Sequence, residues 1–164
     1  TMLGMTDDAI RAGLLQFQGA DMRQKIYQLA GLTIIEDCYN ASPESMRAAI
    51  DVLVSMASKR NARPAALLGD MLELGTISEE SHRNAGLLAA KAKVDVFMTY
   101  GERSLASAEK ARECGVREVY GFTDKKALAD KLFETLKPGD AVLFKASRGM
   151  ALEDVINDLY GRIK

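Results

Sequence analysis

Four polar stretches gather the residues with chemistry to offer: 37–42, 69–75, 100–104 and 146–150. Asp37, an ionised carboxylate, can accept two hydroxyl donors such as those of a ribose, or it can close an Asx turn on its own loop. Arg148, on a Ser147-Arg148-Gly149 loop, carries the planar fork that clamps a carboxylate bidentately, or lies on the surface as a loop arginine. Asp70 and Glu73 suit a cation or an ammonium group, or plain exposure. His82 sits beside Glu79 and Glu80 early in a helical pattern, and reads first as a solvated or capping histidine and second as a site residue. Two absences bound the chemistry. There is no Gly-x-x-x-x-Gly-Lys-Ser/Thr loop and no Gly-x-Gly-x-x-Gly fingerprint, so the chain lacks the backbone cradle that holds a triphosphate or dinucleotide alone. Cys38, Cys114 and the single histidine do not have metal-ligand spacing, and no metal site is expected.

The elements that must position these residues follow from periodicity. Residues 32–35 form an apolar run ending at Asp37, which reads as a buried strand. A short loop, Tyr39-Asn40-Ala41, then leads to Ser42-Pro43, an N-cap and first helical residue. Residues 23–29 turn through Ala30-Gly31 into that strand as a hairpin. Met46, Ala49, Ile50, Leu53, Val54 and Ala57 fall on one helical stripe over 43–58. Further strands are expected at 64–68, 94–100, 118–122 and 141–145. The helices between them start near Ser78, near Leu105, after a Thr123 cap and near Leu152. Short strands alternating with helices of 10–15 residues are the mark of βαβ units. The predicted fold is α/β: a Rossmann-like, doubly wound, mostly parallel six-stranded sheet with one antiparallel edge strand. In such sheets ligands bind at the carboxyl ends of the strands, where all four polar stretches fall.

Composition narrows the class. At 164 residues the chain suits one full core. Its net charge of −1 supplies no basic field for nucleic acid or a membrane surface. No apolar run is long enough to span a bilayer, and no charged and apolar leader opens the chain, so a cytoplasmic location with reduced thiols is expected. The stretch Thr1-Met2-Leu3-Gly4-Met5 is an unusual opening, and the short helix after Thr6, with Ile10, Leu14 and Leu15, needs a partner surface. Residues 1–19 are therefore expected to be the tail of a preceding domain and residues 20–164 a domain of their own.

Four motifs occur in order: Asp37-Cys-Tyr-Asn-Ala-Ser-Pro-Glu-Ser-Met46, Leu68-Gly-Asp-Met-Leu-Glu-Leu-Gly75, Ser78-Glu-Glu-Ser-His82-Arg83 and Lys145-Ala-Ser-Arg-Gly-Met150. Together they resemble the C-terminal domain of the Mur ligases, in particular those that join D-alanyl-D-alanine to UDP-N-acetylmuramoyl-tripeptide in peptidoglycan synthesis. The resemblance covers about residues 20–164, and residues 1–19 resemble the end of the central ATPase domain. It implies an ATP-dependent amide ligase acting through an acyl phosphate. Magnesium and the phosphate loop then belong mainly to the central domain, and the UDP-sugar mainly to the N-terminal one. The C-terminal domain would be a lid, inactive alone. By the same resemblance Arg23, Asp37, Tyr39 and Asn40 contact ATP, with Asp37 on the ribose, while Asn40, Ser42, Asp70, Ser147 and Arg148 face the dipeptide. Three positions depart from the family pattern: Ser42 stands for a second Asn, Ala146 for a Gly, and Asp21-Met22-Arg23 for Gly-Arg-Met. The alternative is a stand-alone Rossmann-like module that binds a small ligand without catalysis.

Overall fold

The computed structural model describes Thr6 and residues 24–163. The helix expected after Thr6, the domain boundary at 19/20 and Arg23 lie outside the described residues. Strand β1 (Lys25–Leu29) turns through Ala30 and Gly31, both at positive φ (47° and 84°), into β2 (Leu32–Asp37). Such a turn matches the right-handed twist of the two strands it joins. Then come α1 (Pro43–Arg60), β3 (Pro64–Gly69), α2 (Ser78–Lys91), β4 (Val96–Tyr100), α3 (Leu105–Glu113), β5 (Glu118–Phe122), α4 (Lys125–Thr135), β6 (Ala141–Lys145) and α5 (Glu153–Ile163). Short 3-10 turns at Gly75–Ile77 and Arg148–Met150 sit in the loops after β3 and β6.

The six strands lie in the order β1-β2-β6-β3-β4-β5, with β1 antiparallel to β2 and every other pair parallel. This is the expected sheet, with its antiparallel edge. Strands β3, β4 and β6 occupy the middle and are buried almost end to end, as parallel strands covered on both faces must be. Exposure returns at the two edges, β1 and β5. On one face Met46, Ala49, Ile50 and Leu53 of α1 and Ala85 and Ala89 of α2 cover Ile35, Leu68, Phe97 and Leu143. On the other, Leu128 and Leu132 of α4 and Val155, Ile156 and Leu159 of α5 cover Ile34, Leu67, Met98 and Phe144. Each of the larger side chains among them contributes about 1.5–3 kcal/mol by leaving water. No helix among the described residues is long and apolar enough to cross a membrane.

Two boundaries differ from expectation. Asp124, not Thr123, caps α4: its extended backbone lets the carboxylate accept from Ala127 N at 2.8 Å. Strand β4 begins at Val96 rather than Val94, because the Val94 N–H closes the end of α2 on Ala89 O at 3.0 Å instead of joining the sheet.

The register levels the carboxyl ends. Asp37 pairs with Lys145, Leu68 pairs with Lys145, Gly69 with Tyr100 and Tyr100 with Phe122. The loops after β2, β6, β3 and β4 therefore emerge side by side along one rim of the sheet.

Candidate functional site

Side chains in register on neighbouring strands share a face, so Asp37 and Lys145 project together toward α1. The Lys145 ammonium is buried, at 1 % exposure. It donates to Asp37 Oδ2 at 2.7 Å and to Asn40 O at 2.8 Å, gripping both ends of the loop that leaves β2. Cys38, between them, donates its thiol to Phe144 O at 3.6 Å. Burial first, then the nearby carboxylates of Glu36, Glu153 and Asp37, pushes that thiol up to about 12, so Cys38 is a fixed packing residue and not a nucleophile. Across the same junction the Arg148 guanidinium lies 5.6 Å from the centre of the Tyr39 ring, within cation–π range.

The junction opens on a cleft of about 460 Å³ lined by Asp37, Tyr39, Asn40, Lys145, Gln24 and the first turns of α1 at Ser45, Ala48 and Ala49. Helix α1 starts behind it on a reciprocal cap. Ser42 Oγ accepts from Ser45 N at 3.3 Å, and Ser45 Oγ accepts from Ser42 N at 2.9 Å. The Ser42 hydroxyl acceptor is thereby committed to the helix, where such a cap contributes about 1 kcal/mol.

The remaining expected residues fasten the rim together. Ser147 Oγ accepts from Leu72 N at 2.9 Å while Ser147 N donates to Asp70 O at 3.2 Å, joining the loops after β6 and β3. Asp70 is buried, and its carboxylate accepts from Ser104 N at 2.8 Å and Arg103 N at 3.4 Å, joining the loops after β3 and β4. Gly101, at φ +116°, makes room: a Cβ there would lie 2.4 Å from the Asp70 carboxylate. Gly69 likewise faces Ala146, where a Cβ would meet the Ala146 Cβ at 2.7 Å, so the smallest residue on β3 accommodates the alanine that follows β6.

His82 is neither solvated nor capping, contrary to the first reading of its acidic neighbourhood. It is buried at 1 % exposure, its Nε2 accepts from Met71 N at 3.0 Å, and its Nδ1 faces Ser78 O at 2.7 Å. These partners fix the neutral tautomer with the proton on Nδ1, and the ring holds the loop after β3 against α2. Glu73 is exposed at φ +66°, and the described residues contain no group of three or more His, Cys, Asp or Glu that could hold a metal ion.

The structure thus brings Asp37, Tyr39, Asn40 and Arg148 to one junction and sets Ser42, Asp70 and Ser147 into the framework around it. Sequence reasoning passed over Lys145, Gln24 and Ser45. The signals for Lys145 were its place at the head of the fourth motif and its charge at the close of an otherwise apolar strand, Ala141-Val142-Leu143-Phe144.

Comparisons with known proteins bear on this geometry. The family model "Mur ligase, glutamate ligase domain" matches residues 22–148. The chain is 38% identical over 158 residues to the UDP-N-acetylmuramoyl-tripeptide–D-alanyl-D-alanine ligase of Bacillus subtilis, covering 95% of this chain and 34% of that protein. It is 36% identical over 160 residues to the ligase of the same name from Escherichia coli, covering 96% of this chain and 33% of that protein. Among solved structures it is similar to MurF from Acinetobacter baumannii (TM-score 0.80, 32% identity, 97% of this chain and 34% of that one). It is also similar to the MurF ligase of Thermotoga maritima in complex with ADP (TM-score 0.76, 26% identity, 99% of this chain and 35% of that one). The chain spans about a third of the length of the curated relatives it matches. On the match over residues 22–148, and on a sheet and rim built as described, the chain belongs to the Mur ligase family as its glutamate ligase domain.

Proposed function

We propose that this chain is the C-terminal domain of an ATP-dependent ligase that joins D-alanyl-D-alanine to UDP-N-acetylmuramoyl-tripeptide. The observation that carries the reading is the Asp37 carboxylate, held by Lys145 at the wall of a 460 Å³ cleft between the loop after β2 and α1. A fixed carboxylate there suits the hydroxyls of an ATP ribose, with Tyr39 and Asn40 as neighbouring contacts and the phosphates and magnesium carried elsewhere in the full-length enzyme. Arg148, exposed on the same rim, is the group suited to the dipeptide carboxylate. Asn40 shares that approach, while Ser42, Asp70 and Ser147 keep the loops in place for it. Activation of the tripeptide carboxylate as an acyl phosphate, followed by attack of the dipeptide amine, needs water kept out, and a domain closing over the nucleotide does that.

The full-length enzyme, given ATP, UDP-N-acetylmuramoyl-tripeptide and D-alanyl-D-alanine, is expected to release phosphate only when the dipeptide is present. The 164-residue chain alone, having no phosphate loop, is expected to release none. Turnover by the chain alone, or dipeptide-independent turnover by the full-length enzyme, overturns the assignment.

A further inference from the structure

We propose that Lys145 is a positioning residue for nucleotide recognition, holding the Asp37 carboxylate and the loop 37–40 in the form that receives ribose hydroxyls. The inference rests on the nucleotide reading above. A lysine ammonium at 1 % exposure is costly to bury, and an apolar residue of similar volume would serve a wholly buried strand end better. Packing therefore does not account for Lys145, whereas its hydrogen bonds do. Two of the three ammonium donors go to Asp37 Oδ2 and Asn40 O, the first and last residues of the loop that walls the cleft. Asp37 Oδ1 accepts no hydrogen bond from any described residue, and the carboxylate is 18% exposed, so one oxygen is anchored and the other is open to a ligand. An acceptor fixed in this way is spared the reorganisation a free side chain undergoes on binding.

Removing Lys145 and removing the ribose hydroxyls should then delete the same interaction. The test compares kcat/KM for ATP with that for 2′,3′-dideoxy-ATP in the full-length enzyme. The unmodified enzyme is expected to prefer ATP by about 10–100-fold, the range for hydrogen bonds to a charged group. In Lys145→Met the preference should fall to within about threefold of unity, through a loss on ATP and little change on the dideoxy nucleotide. Lys145→Gln, which keeps a donor, should retain an intermediate preference. Asp37→Asn separates the two levels of inference. If it preserves the full preference, Asp37 does not hold the ribose and the nucleotide reading itself fails at this residue. If it abolishes the preference while Lys145→Met keeps it, only the positioning role falls. Failure of both Lys145 variants to fold, read by circular dichroism, assigns the ammonium to the core alone and overturns the proposal.

Discussion

The two ends of the sheet each carry an ion pair between neighbouring segments, and the pairs are built in opposite ways. At the amino end, Arg63 donates through Nε and Nη2 to both oxygens of Asp140 at 3.0 and 2.7 Å. It also donates to Thr135 O at 2.8 Å and to Glu118 at 3.3 Å. Asp140 in turn accepts from Lys137 N at 2.8 Å, so the knot ties the starts of β3, β5 and β6 to the end of α4. At the carboxyl end, Lys145 makes a single contact with Asp37 and one with a carbonyl, beside a cleft. A guanidinium is a rigid fork suited to being used up by its partners, whereas an ammonium is a point charge that holds an acceptor without enclosing it. The amino-end pair is enclosed by its partners, whereas the carboxyl-end pair borders an open cleft, where the proposed ribose contact falls.

The contrast breaks most visibly on stability. Asp140→Ala strands the Arg63 fork and the Lys137 N–H and is expected to cost about 3 kcal/mol, at the lower edge for a buried pair because Arg63 keeps 26% exposure to water. Lys145→Met should cost less, about 1 kcal/mol, since the methionine ends the desolvation of a wholly buried ammonium and leaves only Asp37 Oδ2 and the Asn40 carbonyl without their donor. Urea midpoints of the two variants provide the comparison. The reverse order would mean that the carboxyl-end pair is the structural one.

A smaller effect separates framework from site within the carboxyl end. Gly101→Ala puts a Cβ at φ +116° and within 2.4 Å of the Asp70 carboxylate, which is occupied by the backbone N–H groups of Ser104 and Arg103. The expected loss is about 2 kcal/mol, from positive-φ strain and overpacking together. A melting temperature unchanged from the parent would show that the Asp70 bracket is not what joins the loops after β3 and β4.

The sequence made the elements legible because each has a local cause. The stripe from Met46 to Ala57 needs only a 3.6-residue period, and Ser42-Pro43 needs only a cap to mark where α1 starts. The rim was legible as well, since the polar stretches follow the strands and parallel strands end together. Which of those residues meet was not. Lys145 and Asp37 are 108 positions apart, and they touch only because β6 lies next to β2, a fact of strand order that no local pattern encodes. His82 was misread for the same reason: Glu79 and Glu80 are its neighbours in sequence, but Met71 N and Ser78 O are its partners in space. The rim loops also contain residues of the same types that bond loop to loop, so Asp70 and Ser147 cannot be sorted from Asp37 and Arg148, the proposed contacts, by chemistry alone.

The smallest effect is chemical and leaves stability at neutral pH untouched. Cys38 lies in the carboxyl-end loop and is buried; Cys114 closes α3 on the way to the amino end of β5 and is exposed. Burial raises the Cys38 thiol from an ordinary 9.0 to about 12, so the folded chain holds that proton more tightly than the unfolded chain does. Its contribution to stability is present below the ordinary value and is lost as pH rises from 9.0 toward about 12. At pH 8 a thiol-disulfide reagent is therefore expected to label Cys114 rapidly and to reach Cys38 only as the chain unfolds. Equal labelling of both thiols in the native state would mean that the loop between Asp37 and Asn40 opens freely. The grip of Lys145 on its two ends would then not be the fixed anchor that distinguishes this end of the sheet.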